Sequence, residues 1–349
     1  MHKKYLLLTG LLVIIVVAFD LASAVITAPQ LVLGRKIVRR PTGPGYTHFS
    51  KLNGSGLTAK ENEGVVLGAM IDNNPEAWEY QARLSSAKVV YEALAEGGIT
   101  RYLALFTSDQ TVYKLGPIRS ARPYYIDWLR EYGNPLYLHS GGSPVALEYL
   151  KNNPPPVRDV NEFYWGKYYW RDKIAIAPHD LFTSSSLWQS LLLSRPVNTA
   201  TNFESWKFAT TKTIRVSAST ELVGGVILPF TLDYSVAWKF NKASSSYERF
   251  INDEAKFGDD KLPMSATTVI VQFMPVSVLD AEGRREFATV GSGNARILFN
   301  GQLFRGSWKK PSVSTRTKFY DANGSEIVFP PGKMWVEVVP ESLVVMVMN

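Results

Sequence analysis

The chain has 349 residues, 12% of them aromatic and 20% charged, a balance that excludes extended disorder because apolar burial can offset the entropy of ordering. It contains no cysteine, which excludes disulfides, thiolate metal sites, a cysteine nucleophile and lipid attachment to cysteine. The net charge of +7 is spread thinly, and its densest cluster, at 35–40, suits a tether beside an anionic membrane, so we expect no nucleic-acid partner.

The N-terminus has the order of an export signal. Lys3 and Lys4 precede an uncharged run at 5–19, and the small residues 22–24 follow. Continued through residue 28, the run is long enough to cross a bilayer as a helix. Residues 1–28 are therefore predicted to be a signal or transmembrane anchor, with the uncleaved anchor favoured over cleavage after Ala24 and secretion. In either form the rest of the chain is predicted to be extracytoplasmic.

A stretch rich in proline and glycine, residues 29–64, is predicted to be a linker. A mixed α/β domain is predicted at 65–195, because apolar strand-like runs alternate there with helical patterns. The predicted strands are 65–71, 99–106 and 136–139. The predicted helices are 86–95, 124–131 and 144–151.

The pattern changes after residue 195 to short β-type runs separated by turns. The pair Asn300-Gly301 between two such runs is a strong hairpin signal. Residues 213–345 are therefore predicted to be a β-rich domain, an all-β sandwich or an open barrel. The predicted fold class is α+β, with the α/β domain first.

Arg119 and Arg122 form the most distinctive basic element of the first domain. Two arginines three residues apart, ahead of a helix, could converge on one phosphate or carboxylate, since each guanidinium offers a planar fork. Exposed arginines more often form local ion pairs, and that interpretation stays open.

His139 and Ser143 lie at a glycine-rich strand-to-helix turn. Ser143 followed by Pro144 has the pattern of a helix N-cap, which explains most of this motif. His139 is then left as a candidate acid, base or hydrogen-bonding group.

Arg171, Asp172 and His179 form a third candidate group, with Asp180 beside them. A relay of Ser143, His179 and Asp172 is conceivable, but the chain lacks the Gly-x-Ser-x-Gly pattern of a nucleophile elbow. The histidines do not have the spacing of a metal site, and we expect neither a metal nor a cofactor.

Ten short sequence motifs occur along the chain in a characteristic order. They lie at 70–73, 89–92, 96–101, 116–122, 139–144, 170–172, 177–179, 291–293, 308–310 and 332–340. In this combination the chain resembles the YerB-like family of bacterial envelope lipoproteins, which carries domain of unknown function 3048, over about residues 65–340. The resemblance implies two domains and an envelope location, and it implies no particular activity. The lipid-bearing cysteine of the family is missing here, which favours the helical anchor.

Two hypotheses follow for the function. In the first, the chain is a membrane-anchored binding module whose α/β domain binds an anionic or polymeric ligand of the cell envelope, such as a lipid phosphate. In the second, it is an enzyme acting on cell-wall glycopolymers, similar to a phosphotransferase or, less favoured, a hydrolase. The candidate ligand-binding residues are Arg119, Arg122, His139, Ser143, Arg171, Asp172 and His179.

Overall fold

The computed structural model describes residues 46–58, 63–152, 157–195, 203–209 and 221–349. The segment predicted to be a signal or anchor, 1–28, lies outside these residues. No helix among the described residues is long and apolar enough to span a bilayer.

The described part of the chain before residue 196 combines short helices with strands. The strands are β1 (Tyr46–Phe49), β2 (Gly56–Thr58), β3 (Val66–Asp72), β4 (Val89–Leu94), β5 (Thr100–Thr107), β6 (Leu136–His139), β7 (Arg158–Asn161), β8 (Trp170–Arg171) and β9 (Leu181–Phe182). The α-helices are α1 (Pro123–Leu129), α2 (Pro144–Asn152), α3 (Glu162–Trp165) and α4 (Ser185–Ser194). Turns of 3-10 helix occur at Pro75–Tyr80, Leu84–Ser86, Arg130–Tyr132 and Gly166–Tyr168.

The described residues after position 202 form strands, turns and loops only. Their strands are β10 (Lys207–Phe208), β11 (Glu221–Leu222), β12 (Gly225–Pro229), β13 (Ser235–Asn241), β14 (Ser246–Ile251), β15 (Glu254–Ala255), β16 (Ser265–Ala266), β17 (Thr268–Met274), β18 (Val276–Val278), β19 (Arg285–Phe287), β20 (Gly291–Phe299), β21 (Gln302–Lys310), β22 (Lys318–Tyr320), β23 (Val328–Phe329), β24 (Met334–Pro340) and β25 (Met346–Met348).

The largest sheet has eleven strands, and both halves of the chain contribute to it. Its order is β11-β21-β20-β17-β24-β4-β5-β3-β6-β7, with β22 beside β21. Strand β24 pairs in parallel with β17 on one side and with β4 on the other, so it joins the two halves. Strands β3, β4, β5 and β17 are buried along their whole length, which agrees with their largely apolar sequences.

A second sheet, in the order β15-β14-β13-β12-β25 with β16 beside β14, shares an apolar core with the first. Trp238 of β13 meets Trp335 of β24 edge to face, with ring centroids 5.1 Å apart. One ionic group lies inside this core. The Nη2 atom of Arg249 is 2.7 Å from Oε2 of Glu92, and its Nη1 is 3.3 Å from Oε1 of Glu337. These three fully buried residues are called the core charge cluster below.

The α+β character and the largely β C-terminal region are confirmed. The hairpin at Asn300-Gly301 is also confirmed: these residues join β20 to β21 with φ values of 54° and 71°, the left-handed region that a tight two-residue hairpin loop requires.

Three features differ from the sequence-based expectation. The helix predicted at 86–95 is wrong: this segment contains strand β4, whose residues are all buried between β24 and β5. A strand that is covered on both faces loses the alternating pattern that would distinguish it from a buried helix. Part of the predicted linker forms the β1–β2 hairpin. The C-terminal β region is not a self-contained sandwich or barrel, since β17 and β24 continue the sheet of the first half. The boundaries 65–195 and 213–345 stay predictions.

Candidate functional site

Three parallel strands end at the same edge of the large sheet, and each ends in polar residues. Strand β3 pairs in parallel with β6, and β6 with β7. Their last residues are Asp72, His139 and Asn161. The loop that carries Arg119 packs against this edge, because the Arg119 amide donates to the Met70 carbonyl and the Ser140 amide donates to the Arg119 carbonyl. Carboxyl ends of parallel strands are where open α/β sheets bind ligands.

Asp72 is the centre of the first ionic group at this edge. Its buried Oδ2 lies 2.9 Å from Nε of Arg119 and 2.7 Å from Nδ1 of His179. Its Oδ1 accepts a hydrogen bond from the amide of Asn74, which turns the chain after β3. The second ring nitrogen of His179 lies 3.3 Å from Oε2 of Glu76. Both ring nitrogens of His179 thus face carboxylates.

Glu96 is the centre of the second ionic group. Arg122 donates to it through Nε, at 2.9 Å, and through Nη2, and Arg101 donates to it through Nη2. Burial alone would raise the pKa of Glu96, but the charges and hydrogen bonds of the two arginines outweigh burial and lower that pKa below its ordinary value. The remaining terminal nitrogen of Arg122 donates to the Ala121 carbonyl at 2.6 Å. Arg122 therefore has protein partners on all three guanidinium nitrogens.

The two ionic groups adjoin each other. Asp72 and Arg101 are register partners on β3 and β5. Burial lowers the pKa of Arg119; Asp72 opposes that effect, whereas the charges of Arg101 and Arg122 add to it. We call Arg101, Arg119, Arg122, Asp72 and Glu96 the arginine cluster. It sets three guanidinium groups against two carboxylates, and Arg119 is the most exposed of the three arginines.

His139 and Ser143 have structural partners. The His139 side chain is fully buried; its Nδ1 donates to the Gly141 carbonyl, and its Nε2 lies 2.8 Å from Oδ1 of Asp159. The hydroxyl of Ser143 accepts from the Ala146 amide at 3.3 Å, so Ser143 caps α2.

Arg171 and Asp172 belong to a neighbouring network. Arg171 pairs with Asp180 at 2.6 Å and with Glu162 at 3.3 Å, and Glu162 also accepts from the Ser140 hydroxyl. Asp172 pairs instead with Lys114, whose hydrogen bond lowers the pKa of Asp172.

The structure thus brings Arg119 and His179 together on Asp72, with Arg122 in the adjoining ionic group, and it separates the other candidates among different partners. The relay of Ser143, His179 and Asp172 is not assembled, because each side chain contacts other residues. Ser143 bonds to the Ala146 amide, His179 lies between Asp72 and Glu76, and Asp172 pairs with Lys114. Within the described ranges, no group of three or more histidine or acidic residues could hold a metal ion.

The sequence-based candidates did not include Asp72, Glu96 or Arg101. Asp72 was detectable in principle, because it directly follows a buried strand. Glu96 and Arg101 begin and end the motif 96–101, but their ionic role could not be predicted from it, since that role depends on Arg122, which is 26 positions from Glu96. Four exposed apolar residues were also missed: Phe163, Tyr164, Ile174 and Ile176 are each at least 69% exposed, and they lie close in sequence to Glu162 and His179.

Similarity to known proteins identifies the family of this chain. Residues 54–196 match the N-terminal domain, and residues 226–336 the C-terminal domain, of a protein family of unknown function, DUF3048. The chain belongs to the DUF3048 family. It is similar to YerB of Bacillus subtilis (strain 168), named provisionally as a lipoprotein, with 26% identity over 298 residues, 83% of this chain and 86% of YerB. The crystal structure of YerB matches with a TM-score of 0.73 and 23% identity, over 85% of this chain and 99% of that one, a likeness that concerns the fold.

Proposed function

We propose that this chain is a membrane-anchored extracytoplasmic protein of the cell envelope, and that its arginine cluster binds an anionic envelope ligand such as a lipid phosphate or a polyanionic polymer. The similarity to YerB, which is named as a lipoprotein, supports the envelope location. A protease applied to intact spheroplasts should therefore digest residues beyond about 30, and full protection of the chain would contradict the location.

One observation carries the ligand class: at the carboxyl edge of the parallel strands, the three guanidinium groups of the arginine cluster face two carboxylates, and the adjoining contact of His179 with Glu76 adds one basic and one acidic group. Nε of Arg119 lies 2.9 Å from Asp72 as an ion pair without hydrogen-bond geometry, and the guanidinium group of Arg119 has no hydrogen-bond partner in the part of the chain that the structure describes. A phosphate or carboxylate on this guanidinium group would receive charge-assisted hydrogen bonds and complete the charge balance. The exposed apolar side chains of Phe163 and Tyr164, next to Glu162, and of Ile174 and Ile176, before His179, give a polymer or lipid further surface to contact.

Titration calorimetry of the full chain with pyrophosphate and with poly(glycerol phosphate) tests the proposal. Arg119→Lys keeps the charge but removes the fork, so we expect affinity to fall about tenfold or more. Arg284→Lys, in a surface pair with Asp280 in the C-terminal half, is the matched control and should bind as the wild type does.

Equal binding by the wild type and Arg119→Lys, or no saturable binding, would contradict the proposed site. The enzymatic alternative has its own readout. A hydrolase would cleave the P–O–P bond of pyrophosphate with water, and a phosphotransferase would transfer one phosphoryl group to an added alcohol such as glycerol and release orthophosphate. Either reaction would give new phosphorus NMR signals during incubation with pyrophosphate and glycerol, whereas a binding module shifts the existing signals and forms no product.

A further inference from the structure

A groove of about 720 Å³ lies against the β20–β21 hairpin, in the half of the chain without the arginine cluster. The chain after β24 bounds it on one side, and the turn at Asp321 bounds it on the other. The residues that line the groove include Phe273, Asn294, Arg296, Arg305, Ser307 and Leu343.

The floor of the groove is a square of four polar residues. Alternate residues of a strand face the same side, so Asn294 and Arg296 share one face of β20, and Arg305 and Ser307 share that face of β21. The register places Asn294 opposite Ser307, and Arg296 opposite Arg305. The intervening Ala295 is buried, which agrees with this assignment of faces.

The two arginines of the square are an unusual pair. Like charges directly across a strand pair destabilise a sheet, so a pair of this kind needs a compensating anion. Arg305 has one, since its Nη2 lies 3.0 Å from Glu221. Arg296 donates to the Val345 carbonyl at 2.7 Å, and it has no carboxylate partner within the described residues. Burial lowers the pKa of Arg296, and the charge of Arg305 lowers it further.

The walls of the groove differ in character. Leu343 and the exposed Val344 form an apolar side, and Arg296 lies over the Phe273 ring at 5.5 Å. The opposite wall approaches closely at Gly306, where a Cβ would lie 1.9 Å from the Tyr320 carbonyl oxygen. That approach brings Asp321 to the groove, where its Oδ1 accepts hydrogen bonds from the amides of Asn323 and Ser325 and its Oδ2 is left for a ligand. The groove thus combines two guanidinium groups, an amide, a hydroxyl, a carboxylate and an apolar patch.

We propose that this groove binds a sugar unit that carries a single carboxylate or phosphate group. The oxyanion would lie between Arg296 and Arg305, where it compensates their repulsion. The sugar hydroxyls would exchange hydrogen bonds with Asn294, Ser307 and Asp321, and the apolar face of the ring would lie on Leu343 and Val344. Asp321 and the exposed Glu341 on the rim repel a polyanion, so a single charge fits this groove better than a chain of phosphates.

Saturation-transfer NMR on the full chain, with D-glucuronate, D-glucose 6-phosphate, D-glucose and inorganic phosphate as probes, tests the site. We expect both charged sugars to bind at least about tenfold more tightly than glucose or phosphate alone, since only they fill both halves of the groove. Comparison of glucuronate with glucose 6-phosphate distinguishes a carboxylate from a phosphate source. Arg305→Gln should weaken both charged sugars about tenfold, and this exposed residue can change without disturbing the core.

Ser307→Ala supplies a second variant on the same face, with an expected loss of a few-fold from one neutral hydrogen bond. Arg119→Lys belongs to the arginine cluster and should leave sugar binding unchanged, so failure of one site is distinguishable from failure of the other. Four outcomes would each overturn the proposal: wild-type affinity in Arg305→Gln, equal affinity for glucose and glucuronate, equal affinity for phosphate and glucose 6-phosphate, or no saturable binding.

Discussion

The arginine cluster and the core charge cluster each leave one charge unmatched, with opposite signs. At the sheet edge, three guanidinium groups face two carboxylates, and part of the group reaches the surface. In the core, the single guanidinium of Arg249 faces Glu92 and Glu337, and the side chains of all three are fully buried.

The difference in burial decides how each imbalance can be resolved. A ligand can reach the sheet edge, so an anion can complete the arginine cluster. No ligand reaches the core, where the excess negative charge is removed by a proton instead. Burial and the charge of Glu92 accordingly raise the pKa of Glu337 well above its ordinary value. The same kind of imbalance therefore indicates binding at one place and proton uptake at the other.

The largest expected effect is that of Arg249→Met. This change fills similar space but leaves Glu92 buried without its cation, which should cost about 3–5 kcal/mol of unfolding free energy. Urea unfolding measures the loss. Adding Glu92→Gln should restore part of the stability, because the uncompensated charge is then gone. A loss below about 1 kcal/mol in Arg249→Met would mean that the core cluster contributes little.

Glu337→Gln should change the dependence of stability on pH. The native pKa of Glu337 is raised, so above its ordinary value of 4.5 the unfolded chain releases a proton that the native state keeps. This contribution makes the native state less stable as pH rises through that window, by about 1.4 kcal/mol per pH unit while Glu337 stays protonated. The variant lacks this contribution, so its stability relative to the wild type should increase as pH rises above 4.5. Parallel urea-unfolding curves for the two proteins would contradict a raised pKa.

The two clusters also differ in what the sequence could reveal. Arg119 and His179 were recognisable as candidates because both lie in short motifs with turn residues, and both are found on Asp72. Ser143 was recognisable as a helix cap from its own position before Pro144. These interpretations depend on local spacing, which the sequence contains.

The core cluster had no such signal. Glu92 and Glu337 are 245 positions apart and meet only because β24 inserts between β4 and β17, a pairing that no local pattern specifies. The same insertion explains why the C-terminal strands do not form a sandwich or barrel of their own. The helix predicted over 89–94 has a different cause: the side chains of β4 alternate between the two apolar cores on the two faces of the sheet, so both faces of the strand are buried.

Glu96→Gln sharpens the comparison at the sheet edge. Removing this carboxylate leaves three guanidinium groups against one, so the affinity for pyrophosphate should rise while stability falls by about 1 kcal/mol, a figure that allows for solvent screening. The native pKa of Glu96 is lowered, so its contribution is present above its ordinary value of 4.5 and is lost as pH falls through the native pKa. The stability difference between variant and wild type should therefore shrink in acid. Unchanged pyrophosphate affinity would argue against an anion site at the cluster.

The smallest expected effect is that of Arg171→Gln. Its side chain is half exposed, although it pairs with both Asp180 and Glu162. Exposed pairs contribute little because water screens the charges and the long side chain loses rotamer freedom, so the unfolding free energy should change by less than about 0.5 kcal/mol. Pyrophosphate affinity should also stay within about twofold, since Arg171 already holds two carboxylates and does not belong to the arginine cluster. A loss of pyrophosphate binding comparable to that in Arg119→Lys would instead extend the anion site across Ser140 to the Arg171 network, because Ser140 contacts both Arg119 and Glu162.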